Sequence, residues 1–110
     1  MSADAITAEQ ALVMLREDGS VAFVDVRDAS AYGKGHIPGA INLPFTECGV
    51  EEYLQRFDSS QRIVVYCYMG VASQGVANKL VEAGFANAVS MLGGYTAWRL
   101  TDGVPDDEIA

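Results

Sequence analysis

The sequence predicts an α/β fold built on a mainly parallel sheet, and three observations carry this prediction. Short apolar and β-branched runs recur along the chain, and the clearest is Ile63–Tyr66. Segments with helical periodicity lie between these runs, so strands and helices alternate. The run Ile63–Tyr66 shows no alternation with polar residues, which is typical of a strand that helices cover on both faces.

The first predicted elements are a short edge strand and a capped helix. Residues 5–6 form the strand, and Thr7 starts the helix with Gln10 three residues later, in the spacing of a capping box. The sequence Asp-Gly at 18–19 ends this helix. Its apolar stripe consists of Ala8, Ala11, Leu12 and Leu15.

The next predicted strand covers residues 21–26 and is apolar except for Asp25, which needs a partner if it is buried. Asp28 then caps one or two helical turns. Residues 40–43 form a third strand, which Pro44 ends. An amphipathic helix follows, with apolar residues at i, i+3, i+4 and i+7: Val50, Tyr53, Leu54 and Phe57.

The second half begins with the central strand Ile63–Tyr66, and Ser73 is predicted to open the following helix. The apolar face of that helix comprises Val76, Ala77, Leu80 and Val81, with Gly84 as the stop. Residues 88–92 form another strand, and a Gly-Gly turn at 93–94 leads into the last helix. We expect one domain over residues 1–110, with a frayed acidic tail at 106–110.

The candidate catalytic residue is Cys67, which follows the central strand and precedes a loop containing Gly70. Ligands of open α/β sheets bind outside the carboxyl ends of the strands. Backbone N–H groups of such a loop and the N-terminus of the following helix favour a thiolate, which is the nucleophilic form of cysteine. The alternative is an inert buried cysteine, which is common in protein cores.

The net charge of −8 argues against nucleic acid and anionic membrane surfaces as partners. The N-terminus has no basic region followed by an apolar run, and no apolar stretch reaches membrane-spanning length. We therefore expect a cytoplasmic protein with reduced thiols.

The sequence predicts no metal site, because it has two cysteines and one histidine and no CxxC pair.

Four stretches together resemble the single-domain rhodaneses, the thiosulfate sulfurtransferase family. They are Val-Asp-Val-Arg-Asp at 24–28, Tyr32 with Gly-His-Ile-Pro-Gly-Ala-Ile-Asn-Leu-Pro at 35–44, Cys67 with its loop, and Gly-Gly-Tyr-Thr-Ala-Trp at 93–98. These motifs span nearly the whole chain, and the second and fourth are specific when they occur together.

The resemblance implies a three-layer sandwich of about five mainly parallel strands with helices on both faces. It also implies a sulfurtransferase in which Cys67 carries a persulfide, with no metal or organic cofactor. The donor would be thiosulfate or a related molecule, and the acceptor a thiol, a protein or cyanide. The substrate-binding loop would consist of Tyr68, Met69, Gly70, Val71, Ala72 and Ser73.

This loop departs from the family pattern, because active members often have an Arg or Lys there to hold the doubly charged donor. Its residues 68–73 include no cation. A second hypothesis is therefore a sulfur-carrier or sensor module in a protein persulfide relay, with little turnover of small donors. A third hypothesis is a non-catalytic rhodanese-like domain, which the retention of Cys67 disfavours.

The related cysteine phosphatases and arsenate reductases place an Arg six residues after the cysteine. Ser73 at that position argues against their chemistry.

Asp25, Arg27 and His36 are predicted to support the site structurally. Asp25 and Arg27 lie two apart in a strand and share a face, which favours a buried ion pair. The less favoured alternative for Arg27 is that it lends positive potential to the site. A general-base role for His36 is a less favoured alternative, since a preformed thiolate needs no base. Cys48 is interpreted as an inert thiol, with a disulfide to Cys67 as the alternative.

Overall fold

The computed structural model describes residues 2–105, which form one five-stranded sheet and five helices. The strands are β1 (Ala5–Ile6), β2 (Ala22–Asp25), β3 (Ile41–Asn42), β4 (Ile63–Tyr66) and β5 (Ala88–Met91). The helices are α1 (Ala8–Glu17), α2 (Ala29–Lys34), α3 (Val50–Arg56), α4 (Val71–Glu82) and α5 (Gly94–Leu100). All neighbouring strands are parallel, in the order β1-β5-β4-β2-β3, so the predicted fold class is confirmed.

The central strand β4 divides the core into two layers. Ile63 and Val65 pack in the cluster that includes residues of α3 and α4, whereas Val64 and Tyr66 pack in the cluster that includes residues of α1 and α5. All four side chains are fully buried. Successive side chains of a strand point to opposite faces, so helices on both faces explain why this run is apolar throughout.

The order of the strands places a crevice between β2 and β4. After β2 the chain continues to β3 on one side of the sheet, and after β4 it continues to β5 on the other. The two following connections leave in opposite directions, which opens a gap at the carboxyl ends of β2 and β4. The register pairs Asp25 with Tyr66, so Val26 and Cys67 are the first residues beyond the sheet at this gap.

Two predicted features of the helices are wrong. Helix α4 begins at Val71 and not at Ser73, because Gly70 adopts a left-handed conformation (φ 94°) and serves as its N-cap. Leu54 was placed on the apolar face of α3, but its side chain is largely exposed. The capping box of Thr7 and Gln10 and the cap by Asp28 are confirmed. The predicted tail at 106–110 lies outside the described residues.

The longest helix among residues 2–105 is α4, with 12 residues, and none of these helices has the length and apolar character needed to cross a bilayer.

Candidate active site

Cys67 lies at the base of a cleft of about 500 Å³, which we call the Cys67 cleft. The cleft opens at the carboxyl ends of the strands, where the connections after β2, β3 and β4 meet. Its lining consists of Val26, Arg27, Asp28, Phe45, Thr46, Cys67, Tyr68, Met69, Val71 and Ala72. The cysteine side chain is mostly buried, and it contributes to the lining of this cleft.

Hydrogen-bond donors surround the sulfur of Cys67. The N–H of Gly70 donates to Sγ at 3.1 Å, and the N–H of Ser73 donates at 3.4 Å. The Ser73 hydroxyl lies 3.4 Å from Sγ and can donate to it when the thiol is ionised. The Ser73 N–H belongs to the first turn of α4, where the partial positive charge of the helix also favours an anion.

The start of helix α5 fixes the orientation of the first two peptide groups of the loop, which join Cys67 to Tyr68 and Tyr68 to Met69. The N–H of Tyr95 donates to the carbonyl of Cys67 at 2.8 Å, and the N–H of Thr96 donates to the carbonyl of Tyr68 at 3.1 Å. In a trans peptide the carbonyl and the next N–H point in opposite directions. The carbonyl of Tyr68 therefore turns the N–H of Met69 away from α5, and this N–H contributes to the lowered pKa of Cys67.

Gly94 allows this close contact between the loop and α5. A Cβ atom at Gly94 would lie 2.4 Å from the carbonyl oxygen of Cys67 and 2.5 Å from the carbonyl carbon of Tyr68. Its φ of 59° is also in the left-handed region. The sequence predicted a turn at 93–94, and the structure shows that this turn supports the loop around the thiol.

The Ser73 hydroxyl is held in place by a second serine that sequence reasoning missed. Ser73 and Ser90 are both buried, and their Oγ atoms are 2.8 Å apart. Ser90 is a polar residue inside the apolar run of β5, which is the same signal that drew attention to Asp25 in β2. A buried hydroxyl in a strand needs a partner, and this one orients the group beside the sulfur.

The two cysteines have pKa values that move in opposite directions. Burial acts to raise the pKa of Cys67, but the hydrogen bonds from Ser73, Gly70 and Met69 outweigh burial, so this pKa lies below that of an ordinary thiol. Burial raises the pKa of Cys48, and the nearby Glu52 and Glu47 raise it further. Cys67 is therefore the cysteine that favours the reactive thiolate.

Asp25 and Arg27 form the ion pair that their spacing predicted. Arg27 Nη2 donates to Asp25 Oδ2 at 2.6 Å and Nε donates to Oδ1 at 3.0 Å, while the backbone N–H of Arg27 also bonds to Oδ1 at 2.9 Å. Both side chains are buried. Removing one partner of such a pair leaves an uncompensated buried charge and costs about 3–5 kcal/mol.

Arg27 also lies beneath aromatic rings at the edge of the cleft. Its guanidinium carbon is 4.3 Å from the ring centroid of Tyr95 and 5.2 Å from that of Tyr68. A cation within about 6 Å of a ring centroid is attracted to the ring. Arg27 therefore attracts the ring of Tyr68 at the edge of the cleft, and Asp25 compensates the charge of Arg27.

His36 does not line the Cys67 cleft among the described residues. It is buried, its ring stacks on Tyr32 with centroids 3.8 Å apart, and its Nδ1 lies 2.9 Å from the Tyr32 carbonyl oxygen. These contacts fit the predicted structural role of His36.

Cys48 lines a groove next to the Cys67 cleft and not the cleft itself. The groove and the cleft share Phe45 and Ala72, so Cys48 lies close to the entrance. Both cysteines are free thiols in this structure.

The entrance to the cleft is apolar and exposed. Phe45, Tyr68, Met69 and Val71 each expose more than half of their side chains. Tyr68, Met69 and Val71 belong to the predicted substrate loop, whereas Phe45, Val26, Thr46 and Asp28 were not predicted to line the site. The sequence signal for these last four residues was their position after β2 and β3, because parallel strands end at the same edge of a sheet.

Comparisons with known proteins agree with this architecture. The family model described as the rhodanese-like domain matches residues 7–101. The chain belongs to the rhodanese-like domain family. Among curated relatives, the thiosulfate sulfurtransferase GlpE of Pseudoalteromonas translucida is 38% identical over 94 residues, which cover 86% of this chain and 87% of the relative. GlpE of Coxiella burnetii is 38% identical over 79 residues, or 72% of each chain.

Solved rhodanese-like structures superpose on nearly the whole chain. The rhodanese-like domain of an Anabaena protein has a TM-score of 0.86 at 29% identity, covering 100% of this chain and 81% of that chain. A rhodanese-like domain protein of Staphylococcus aureus has a TM-score of 0.79 at 30% identity, covering 97% and 98%. The relatives support a sulfurtransferase activity for this rhodanese-like protein.

Proposed function

We propose that this rhodanese-like protein transfers sulfane sulfur from thiosulfate or a related donor to a thiol or cyanide, through a persulfide on Cys67. The observation that carries the proposal is the set of N–H and hydroxyl donors around Cys67 Sγ at 3.1–3.4 Å. These donors stabilise the thiolate that attacks, and they can also stabilise the negative charge on the persulfide that forms.

In the first step the Cys67 thiolate attacks the outer sulfur of thiosulfate. A new S–S bond forms between Cys67 and this sulfur, while the S–S bond of thiosulfate breaks and its electron pair leaves with sulfite. The product is the Cys67 persulfide anion. No proton has to move when the thiolate is already formed, so the lowered pKa of Cys67 replaces a general base.

In the second step an acceptor attacks the outer sulfur of the persulfide. A thiolate acceptor becomes a persulfide itself, or cyanide becomes thiocyanate. In both cases the Cys67 S–S bond breaks and Cys67 leaves as a thiolate. The same donors that lower the pKa of Cys67 make it a good leaving group.

A specific observation favours the relay as a second candidate function. The cleft entrance consists of exposed apolar side chains (Phe45, Tyr68, Met69 and Val71), and the only cation in the described lining, Arg27, is paired with Asp25. Thiosulfate is a dianion, and the carboxylate of Asp28 also lines the cleft. We therefore expect weak thiosulfate binding, and a partner protein with an apolar surface is the alternative donor.

The test is the intact mass of reduced protein after incubation with thiosulfate, together with sulfite release. Wild type, Cys67→Ala and Cys48→Ser are compared. The proposal requires one added sulfur atom on wild type and Cys48→Ser and none on Cys67→Ala. Loss of the added sulfur in Cys48→Ser would show that Cys48 takes part in the mechanism. If no variant gains sulfur, thiosulfate is rejected as the donor, and a persulfidated protein donor is tested next.

A further inference from the structure

Two amide side chains of helix α4 bind the backbone of Ala3. Gln74 Nε2 donates to the carbonyl of Ala3 at 3.0 Å, and the N–H of Ala3 donates to Asn78 Oδ1 at 2.8 Å. Gln74 Nε2 also donates to Asn78 Oδ1 at 2.9 Å. Gln74 and Asn78 lie four residues apart and therefore on one face of the helix. We call these two side chains and the Ala3 backbone the amide cluster.

The backbone of Ala3 determines the orientation of both amides. An N–H group can only donate and a carbonyl can only accept, so Asn78 must present its oxygen and Gln74 its nitrogen. Ala3 is buried, and it packs in the core cluster that also contains Ala77 of α4. The amide cluster therefore fixes one defined arrangement between residue 3 and the helix.

The segment that begins at Ala3 also contacts strand β5. The N–H of Ser90 donates to the carbonyl of Asp4 at 3.1 Å, and Ala5 of β1 is paired with Ser90 in the sheet. Residues 3–5 thus bind α4 through the amide cluster and β5 through the backbone. This segment links the two elements that carry Ser73 and Ser90.

Both contacts lie next to the serines beside the thiol. Gln74 directly follows Ser73, and the Asp4 carbonyl binds Ser90 itself. The Oγ atoms of the two serines are 2.8 Å apart, and the N–H and hydroxyl of Ser73 each lie 3.4 Å from Cys67 Sγ. A shift of α4 against β5 would change these distances, and hydrogen bonds weaken with length and misalignment.

Within the described chain, no side chain caps the start of α4. Its N-cap is Gly70, and the N–H groups of Gly70 and Ser73 bond to Cys67 Sγ in place of a capping side chain. The first turn of a helix is usually held by such a cap. Here the sulfur holds the turn at its first residues, and the amide cluster holds the residues that follow.

We propose that Gln74 and Asn78 are positioning residues for the hydrogen-bond donors of Ser73 around Cys67. They act through the first turn of α4, which the amide cluster and residues 3–5 fix against β5. The inference rests on the proposed function, because it takes Cys67 as the nucleophile. Its test measures the thiol itself and needs no sulfur donor.

The test is the rate at which the neutral reagent iodoacetamide alkylates Cys67, measured against pH in a Cys48→Ser background. The titratable groups that line the cleft beside Cys67 are Arg27, Asp28 and Tyr68, and all variants keep them. Denaturant unfolding of each variant gives its stability separately. Circular dichroism shows that each variant is folded at the temperature of the assay.

The variants remove or keep the amide contacts at similar side-chain size. Gln74→Met and Asn78→Leu remove them by two independent routes, so the test does not depend on the folding of one variant. Asn78→Asp keeps an oxygen that accepts both hydrogen bonds. A salt concentration of about 0.3 M screens the charge that it adds. Gln55→Met, at an exposed position of α3, is the matched control.

The alkylation rate at neutral pH should fall about 1.5- to threefold in Gln74→Met and Asn78→Leu, because the hydrogen bonds of Ser73 are weakened and not lost. Weaker donors raise the pKa of Cys67, so the profile moves to higher pH and the rates converge where the thiol is fully ionised. Asn78→Asp and Gln55→Met should keep the profile of the Cys48→Ser parent.

A double-mutant comparison tests whether the effect passes through the Ser73 hydroxyl. In a Ser73→Ala background this hydroxyl is already absent, so Gln74→Met should have less than about half of its effect on the rate. The N–H of Ser73 remains in that background and accounts for the residual effect.

Three outcomes would overturn the proposal. Unchanged pH profiles with reduced stability in Gln74→Met and Asn78→Leu would leave the amide cluster with a stabilising role only. An equal shift in Asn78→Asp would show that the hydrogen bonds of the cluster are not the cause. An undiminished effect of Gln74→Met in the Ser73→Ala background would exclude the hydroxyl as the route. Failure of wild-type Cys67 to accept sulfur would instead reject the proposed function and leave the alkylation result standing.

Discussion

At the residue scale, the ionisation of the Cys67 thiol depends on hydrogen bonds to the sulfur that are individually weak. The contacts from Gly70 and Ser73 to the sulfur are 3.1–3.4 Å long, and none of them involves a charged group. Burial opposes them, yet together they lower the pKa of Cys67. Ser73 is the donor that substitution can test, because it is the one that uses a side chain.

We predict that Ser73→Ala slows alkylation of Cys67 by iodoacetamide about two- to fivefold at neutral pH, the effect expected for loss of one neutral hydrogen bond. The measurement is the alkylation rate against pH in a Cys48→Ser background. The Ser73 hydroxyl lowers the pKa of Cys67 and so keeps the thiolate populated at lower pH. Loss of the hydroxyl therefore raises this pKa and moves the pH profile of the alkylation rate to higher pH. The rates should converge at high pH, where both thiols are ionised.

Ser90→Ala is the matched control for this substitution. It removes the partner of the Ser73 hydroxyl but leaves that hydroxyl beside the sulfur. We expect a smaller shift of the pH profile than in Ser73→Ala. A profile of Ser73→Ala that coincides with wild type would show that the hydroxyl does not stabilise the thiolate.

At the scale of elements, the loop around the thiol is shaped by a helix that follows it by more than 20 residues. The first N–H groups of α5 bind the carbonyls of Cys67 and Tyr68, and this contact is possible because Gly94 has no side chain. The loop geometry is thus a property of β4, α4 and α5 together. Gly94 tests that dependence directly.

We predict that Gly94→Ala reduces sulfur loading of Cys67 by at least about tenfold and lowers the free energy of unfolding. A left-handed conformation alone costs alanine about 1–2 kcal/mol, and the backbone contacts at 2.4–2.5 Å add to this cost. The measurement combines denaturant unfolding with the loading assay at a temperature where circular dichroism shows the variant to be folded.

Gly75→Ala provides the control in helix α4. A Cβ at Gly75 would meet no atom within 4 Å apart from the neighbouring backbone of its own helix, and alanine is favoured over glycine inside a helix by up to about 1 kcal/mol. This variant should be at least as stable as wild type and load sulfur normally. Normal loading by folded Gly94→Ala would contradict the role assigned to the contact between α5 and the loop.

Sequence reasoning succeeded where local pattern decides the structure and failed where distant contacts decide it. The strand Ile63–Tyr66 was predicted to the residue from its apolar and β-branched run, which follows Arg62 and ends before Cys67. The start of α4 was misplaced because the apolar periodicity begins only at Val76, whereas the backbone of Gly70 sets the first turn.

The same distinction explains why residues of the site were missed and why Leu54 was assigned to the apolar face of α3. Ser90 reaches the site only through strand pairing, and Phe45 only through the convergence of strand ends. On the short helix α3, Val50 and Tyr53 contact the core, as does Phe57 directly after the helix, while the Leu54 side chain is largely exposed. The apolar stripe is therefore narrower than the spacing predicted.

At the scale of the whole molecule, charge and size together determine how salt acts on the site. The described residues have a radius of gyration of 12.5 Å, and the full chain has a net charge of −8. At ~0.01 M ionic strength the Debye length is ~30 Å, so charges across the entire molecule influence an approaching ion. At ~0.15 M it is ~8 Å, and only groups around the cleft remain effective.

We predict that, at low salt, iodoacetate alkylates Cys67 more slowly than iodoacetamide does, after each rate is normalised to a free small thiol. The normalised ratio of iodoacetate to iodoacetamide should rise several-fold between ~0.01 M and ~0.3 M salt as the field of the acidic surface is screened. The two reagents differ by one charge. A ratio that stays constant with salt would show that local groups such as Asp28 and Arg27 control the approach of anions, and that the net charge does not. In that case the loading of Cys67 by thiosulfate would show no salt dependence either.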